Sequence, residues 1–222
     1  MWKRRHGTDV AKPRVLVCVL TGTERQHWIN PELCQMLRMM DRDPRFAMDF
    51  ATVKDAVPHE VARNTTVKLA RDHKVDWLIS FDNDNFMTEG TPLDVLAAAG
   101  PDKNVIGLTY GVQAHPGKYH LYPTHHSGIV EGAFEEVGGV AGGVLMVNRR
   151  VWEAIPSGPW FRWQHGAGNE TLDRGEGACG EDAYFCELVR RHGFRVWTHT
   201  KLLAGHYRTT NLTRMVCTMG EA

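Results

Sequence analysis

Along most of this chain, continuous apolar runs alternate with segments of helical spacing. RVLVCVL at 14–20 is a β-branched run with no polar interruption, the pattern of a strand buried on both faces of a parallel sheet, and it ends in the polar turn Thr21-Gly22-Thr23. Asn30-Pro31 supplies an N-cap and a first-turn proline, and Leu33, Met36, Leu37 and Met40 follow on one helical face. A second strand is predicted over 46–53. A helix then starts at Pro58, carrying Ala62, Thr66, Leu69 and Ala70 on one face and Arg63-Asn64 near its beginning. A third strand covers 77–81, and Thr91-Pro92 caps a short helix with Leu93, Leu96 and Ala97, stopped by Gly100-Pro101. A fourth strand covers 104–110. This alternation predicts an α/β fold with a mostly parallel central sheet and helices on both faces.

Past Gly111 the period loosens. The stretch 112–129, with His115, His120, His125 and His126, reads as loop with one short strand, and no pair of these histidines has the spacing of a zinc motif. Strand character resumes over 135–148, after which Asn148 caps a short helix bearing Val151, Trp152 and Ile155. Gly138, Gly139, Gly142 and Gly143 interrupt that strand, which points either to a bulge or to room for a sugar-sized ligand. Trp160, Phe161 and Trp163 are available to stack on a ligand or to cover core. The polar, Gly-rich run 164–179 is the candidate lid. Gly180-Glu181-Asp182 opens a helix with Phe185, Cys186 and Val189 on its apolar side and Gly193 at its close. A strand over 194–199 is followed by 201–206, ending in Gly205-His206.

The chemistry collects after the third strand, where VDWLISFDNDNFM at 75–87 delivers Asp82, Asn83 and Asp84 into a loop. Open α/β sheets place ligands outside the carboxyl ends of their strands, and two carboxylates held there are hard oxygen ligands for Mg²⁺ or Mn²⁺. An Asx-rich turn with solvated acids is the plainer alternative. An EF-hand loop is excluded, because Phe86 and Met87 fall where a ligand and a glycine are needed. Glu181-Asp182 adds a second acidic pair. Successive helical residues point about 100° apart, so only one of the two can face a reaction centre.

Composition narrows the class. The 222 residues suffice for one well-cored domain, 1–222, with 1–12 and 209–222 as peripheral tails. Twenty-six basic residues balance 26 acidic ones, so no global field attracts nucleic acid or an anionic membrane. Five cysteines without CxxC spacing argue against a disulfide framework or a zinc ribbon. The apolar runs are too short to span a bilayer, and the expectation is a soluble, cytoplasmic protein of a bacterium or a phage-infected host.

Taken in order, a strand ending in DxD, a Gly-rich strand, an ED-headed helix and a strand followed by Gly-His resemble the glycosyltransferases of GT-A fold, specifically family 2-like nucleotide-sugar transferases. The resemblance covers roughly residues 14 to 208, and ARN at 62–64 and AGGVLMVNRRVW at 141–152 share it. It implies a Rossmann-like transferase moving a hexosyl or pentosyl group from a UDP-sugar with Mn²⁺ or Mg²⁺. Asp82 would lie near the ribose and the metal, Asp84 would ligate the metal and His206 would complete the protein ligands. Thr21 and Gly22 would line the base and ribose, with Arg63, Asn64 and Asn83 also on the nucleotide. Gly142, Gly143 and Trp163 would adjoin the donor or acceptor sugar. Asp182 would be the general base, and Glu181 would bind the acceptor or orient that base. The acceptor would be a saccharide, a protein or, as a minority choice, a modified base in DNA. A sugar nucleotidyltransferase and a binding module without turnover are the competing readings.

Overall fold

The computed structural model describes residues 11–22, 29–54, 58–115, 118–122, 124–163 and 180–206, and for 111–125 the backbone alone. The candidate lid at 164–179, the tail at 209–222, residues 1–10, Cys179, Cys217 and the side chains of His115, His120 and His125 lie outside this description. Strands β1 (Arg14–Leu20), β2 (Ala47–Val53), β3 (Trp77–Asp82) and β5 (Val105–His115) alternate with helices α1 (Pro31–Asp41), α2 (His59–Asp72) and α3 (Pro92–Ala98), as the periodicity predicts. Between β3 and α3 lies the short β4 (Asn85–Met87). Further along come β6 (Lys118–Tyr122), β7 (Thr124–Glu131), β8 (Phe134–Gly139), β9 (Val144–Asn148), α4 (Arg149–Ala154), α5 (Glu181–Arg191) and β10 (Val196–His206).

The main sheet runs β2-β1-β3-β9-β5-β10-β8-β7. Pairing directions place β2, β1, β3, β5, β10 and β7 in one sense, with β9 and β8 opposed, so the sheet is mostly parallel with antiparallel insertions. Burial on both faces explains the uninterrupted apolar strands. Val15, Val17 and Val19 of β1 pack on the side of α1 and α3, with Leu33, Met36, Met40, Leu93 and Leu96. Leu16 and Cys18 pack on the other side, with Val67 of α2, Val151 and Trp152 of α4, and Phe185 and Val189 of α5. The two-residue period of the strand thus serves two cores at once. No helix among the described residues is long and apolar enough to cross a membrane, and Cys18, Cys34 and Cys186 form no disulfide there.

Three features depart from the sequence pattern. The stretch 112–129 is strand rather than loop: β5 continues to His115, β6 folds back on it antiparallel, and β7 pairs with β8 at the sheet's edge. Polar strands at an edge need no apolar alternation, so their signal is weak. The predicted strand 135–148 is two strands, β8 and β9, which pair with different neighbours across the turn at 142–143. Strand β4 is too short to register as a period, yet it pairs antiparallel with the end of β10 and sets His206 opposite Asn85.

Strand β10 is correspondingly irregular. It pairs parallel with β5 at Thr198↔Gly107 and again at Leu203↔Thr109, taking up the longer run of residues in a bulge. His199 sits inside that bulge, where its Nδ1 accepts from the backbone N–H groups of Lys201 and Leu202 at 3.3 and 3.0 Å. Burial, with a smaller contribution from Lys201, lowers its pKa and keeps the acceptor nitrogen unprotonated.

At the head of α1, Asn30 is fully buried and does more than cap. Its Oδ1 accepts from Leu33 N at 2.6 Å, while Nδ2 donates to the carbonyls of Asn83 at 3.1 Å and Asn85 at 3.4 Å. The first turn of α1 is thereby tied to the loop after β3. Asn30→Ala removes the cap and the side-chain donor to those carbonyls, and is expected to cost about 1–3 kcal/mol, read as a lowered urea midpoint. Gly107→Ala tests the core separately. A Cβ there would lie 2.4 Å from the Val140 Cβ, so about 1–3 kcal/mol of overpacking is expected in the same measurement.

Candidate active site

The carboxyl ends of β1, β3 and β10 meet the start of α5 and the 142–143 turn at one edge of the sheet. Asp82 closes β3, and its backbone N–H donates to the carbonyl of Gly143 at 3.0 Å. Asn83 N donates to Leu20 O at 3.1 Å, which ties the same loop to the end of β1. Glu181 and Asp182 form the first turn of α5, where acidic side chains complement the helix dipole.

Arg63 joins these pieces. It projects from α2 with only 3% of its surface exposed, and each guanidinium nitrogen is committed. Nη2 donates to both oxygens of Asp82 at 3.0 and 3.1 Å, Nη1 donates to Gly142 O at 2.8 Å, and Nε donates to Glu181 Oε1 at 3.3 Å. Burial alone would lower the pKa of Arg63, but Asp82, Glu181 and Asp182 overcome that and keep it charged. Breaking such a buried arrangement from one side costs about 3–5 kcal/mol, because charges are left uncompensated. Arg63 therefore faces inward, on carboxylates and a carbonyl.

Asp182 is left with a different environment. Burial raises its pKa, the charge of Glu181 raises it further, and Arg63 and the backbone N–H groups of Ala183 and Gly142 lower it only in part. A carboxylate held above its ordinary range can accept a proton more readily near neutral pH.

Asp84 and His206 form the second centre. His206 Nε2 lies 3.1 Å from Asp84 Oδ2, across 122 residues of sequence, brought there by the pairing of β10 with β4. Burial alone would raise the Asp84 carboxyl. The hydrogen bond and charge of His206, helped by its own backbone and the Asn85 amide, hold it below the usual range instead. The Asp84 side chain is 41% exposed and that of His206 16%, so the pair is reachable from solvent. Tyr110 packs edge-on to the imidazole, with ring centroids 5.5 Å apart.

Not every expected residue arrives where the resemblance puts it. Asp82, Asp84 and His206 do not gather on one point: Asp82 turns to Arg63, and among the described residues no three His, Cys, Asp or Glu side chains form a cluster able to hold a metal ion. Asn64 turns to the protein. Its Nδ2 donates to Glu60 O and Phe161 O, and its Oδ1 accepts from Trp160 N and Phe161 N. Gly142 and Gly143 face protein groups on the side that a Cβ would occupy. A Cβ on the first would lie 2.4 Å from Arg63 Cζ, and on the second 2.6 Å from Tyr110 Oη. Trp160 and Phe161 are core, the latter stacked on Phe185 at 4.5 Å, whereas Trp163 is 40% exposed, its backbone N–H donating to Glu60 Oε2. Thr21 stands at the end of β1 beside Gly22, its buried Oγ1 without a hydrogen-bond partner among the described residues. Asn30 was legible only as a helix cap. Its grip on the 83–85 loop has no sequence signal.

No family model and no curated protein matches this chain. Solved structures do. A197 from STIV superposes with a TM-score of 0.60 at 19% identity, covering 88% of this chain and 86% of that one. GalNAc-T7, solved with UDP, GalNAc and Mn²⁺, superposes with a TM-score of 0.52 at 13% identity over 90% of this chain and 45% of its own. A glycosyltransferase involved in the glycosylation of the major capsid of PBCV-1 gives a TM-score of 0.46 at 11% identity, covering 95% of this chain and all of that one. At these identities the likeness is one of architecture, and the architecture is a GT-A-like fold.

Proposed function

We propose that this chain is a glycosyltransferase that moves a sugar from a UDP-linked donor to a hydroxyl of a saccharide or protein acceptor. The observation that carries this reading is the meeting of Asp84 and His206, from the middle and near the end of the chain, at the carboxyl edge of a GT-A-like sheet. A carboxylate oxygen and an imidazole nitrogen suit a divalent ion, Mn²⁺ better than Mg²⁺, and Asp84 and His206 would be the residues to hold it. Such an ion, when bound, supplies Lewis-acid stabilisation of the leaving diphosphate. The same fold in a protein solved with UDP, GalNAc and Mn²⁺ supports the choice of donor and metal.

The chain's own groups divide the remaining work. Asp182 accepts the proton of the incoming hydroxyl, a weak nucleophile until that proton is removed. Glu181 is engaged by Arg63, so its role is to hold α5 in place. Thr21 and Gly22 line the base and ribose from the end of β1, with Asn83 beside them, and Trp163 offers an exposed ring to a sugar. Asp82 holds the loop through Arg63, and Asp84 is the acid of this loop that is left to a metal.

Binding and turnover test separate parts of this reading. UDP with Mn²⁺ is expected to raise the melting temperature of the protein by mass action, and Asp84→Ala to abolish that shift; a panel in which no nucleotide stabilises the wild type would overturn it. Asp182→Asn is expected to keep the UDP shift while losing turnover by about 10²-fold or more, measured as UDP release from UDP-sugars with acceptor. The raised pKa of Asp182 also sets a sign. Its protonation switches the base off, so activity falls as pH drops, starting above the ordinary carboxylate range.

A further inference from the structure

We infer that Arg63 is a positioning residue, one guanidinium whose separate nitrogens hold the end of β3, the 142–143 turn and the head of α5 in a single register and so aim Asp182 at the donor side. Three segments far apart in sequence converge on it: Asp82 from β3, Gly142 from the turn before β9 and Glu181 from α5. The separation of Arg63 from Glu181 is 118 residues, so no local structure enforces the contact. Gly142 is a glycine because the guanidinium lies against its Cα. A Cβ would come within 2.4–2.8 Å of Cζ, Nη2 and Nε. All three nitrogens are spent on the protein, which leaves Arg63 to act through what it holds rather than on a bound nucleotide.

Electrostatics give this role a signature that simple packing lacks. Asp82, Glu181 and Asp182 all lie within reach of the one guanidinium charge. Among the described residues, the titratable and charged groups facing Asp182 are Glu181 on its own helix, Arg63 on α2 and Tyr110 on β5. Glu181 opposes ionisation of Asp182 and Arg63 favours it, so removing either shifts its titration, in opposite directions. A lysine keeps the charge but offers one compact ammonium in place of a planar fork, and cannot span three partners.

The inference rests on the transferase reading only for its kinetic arm. The test is a ¹³C NMR titration of the Asp182 carboxyl, assigned with Asp182→Asn, in the full chain and in Glu181→Gln and Arg63→Met, together with kcat and donor KM for Arg63→Lys. The expected result is a midpoint that falls in Glu181→Gln and rises in Arg63→Met. Arg63→Lys is expected to lose about 10²-fold in kcat with donor KM little changed, because the base is misaimed rather than the donor unbound. Should Arg63→Met not fold, the Glu181→Gln midpoint and the Arg63→Lys kinetics decide. Midpoints that match wild type in folded Glu181→Gln and Arg63→Met overturn the inference, as does an Arg63→Lys defect confined to donor KM. Absence of turnover in wild type would sink the transferase reading and leave the NMR result standing.

Discussion

One buried guanidinium surrounded by carboxylates is the constraint on which the site depends. Desolvating Arg63 is costly, and it is tolerated because Asp82, Glu181 and the Gly142 carbonyl satisfy every nitrogen. Satisfying it in turn dictates where those groups must be, and each belongs to a different part of the chain. The Gly142 position follows from the guanidinium's volume, the orientation of Asp82 from its charge, and the placement of the α5 head from its bond to Glu181. At the head of that helix Asp182 accepts from the backbone N–H groups of Ala183 and Gly142, and burial beside Glu181 still raises its affinity for a proton. The acidic pair thus separates into one residue that holds and one that is available.

A second dependence is topological. The end of β10 must leave β5 and turn to β4, because His206 reaches Asp84 only through that pairing. Phe86 fits over Gly205 so closely that a Cβ there would lie 2.3 Å from its ring, which explains the glycine before the histidine. The loop carrying Asp84 is held from the opposite side by Asn30. Two anchors on a short loop, one from α1 and one from β10, keep a half-exposed carboxylate in a defined place without burying it.

Much of the architecture was readable from periodicity alone. Leu33, Met36 and Met40 fall on the buried stripe of α1 as their spacing predicts, and RVLVCVL is buried on both faces for the reason its composition suggests. The motifs themselves fall at the end of β3, the head of α5 and the end of β10. What the pattern could not carry was direction and partnership. The resemblance put Arg63 and Asn64 on the nucleotide, whereas in the fold Asp82 and Glu181 draw Arg63 inside and Asn64 staples 160–161. The glycines at 142 and 143 announced a close approach, and among the described residues Arg63 and Tyr110 make it. Within 112–129 one short strand was expected where β5, β6 and β7 run, because edge pairing asks little of side-chain polarity.

The bulge in β10 has a consequence for how this protein can change. Between Thr198 and Leu203 the strand carries slack that is taken up around the His199 ring. Because side chains alternate along a strand, a one-residue slip in the pairing beyond that slack would turn Gly205 and His206 to the opposite side, presenting a histidine to Phe86 and withdrawing the imidazole from Asp84. A residue gained or lost inside the bulge can be taken up there without that slip, so the slack shields the site end of the strand from changes in length upstream.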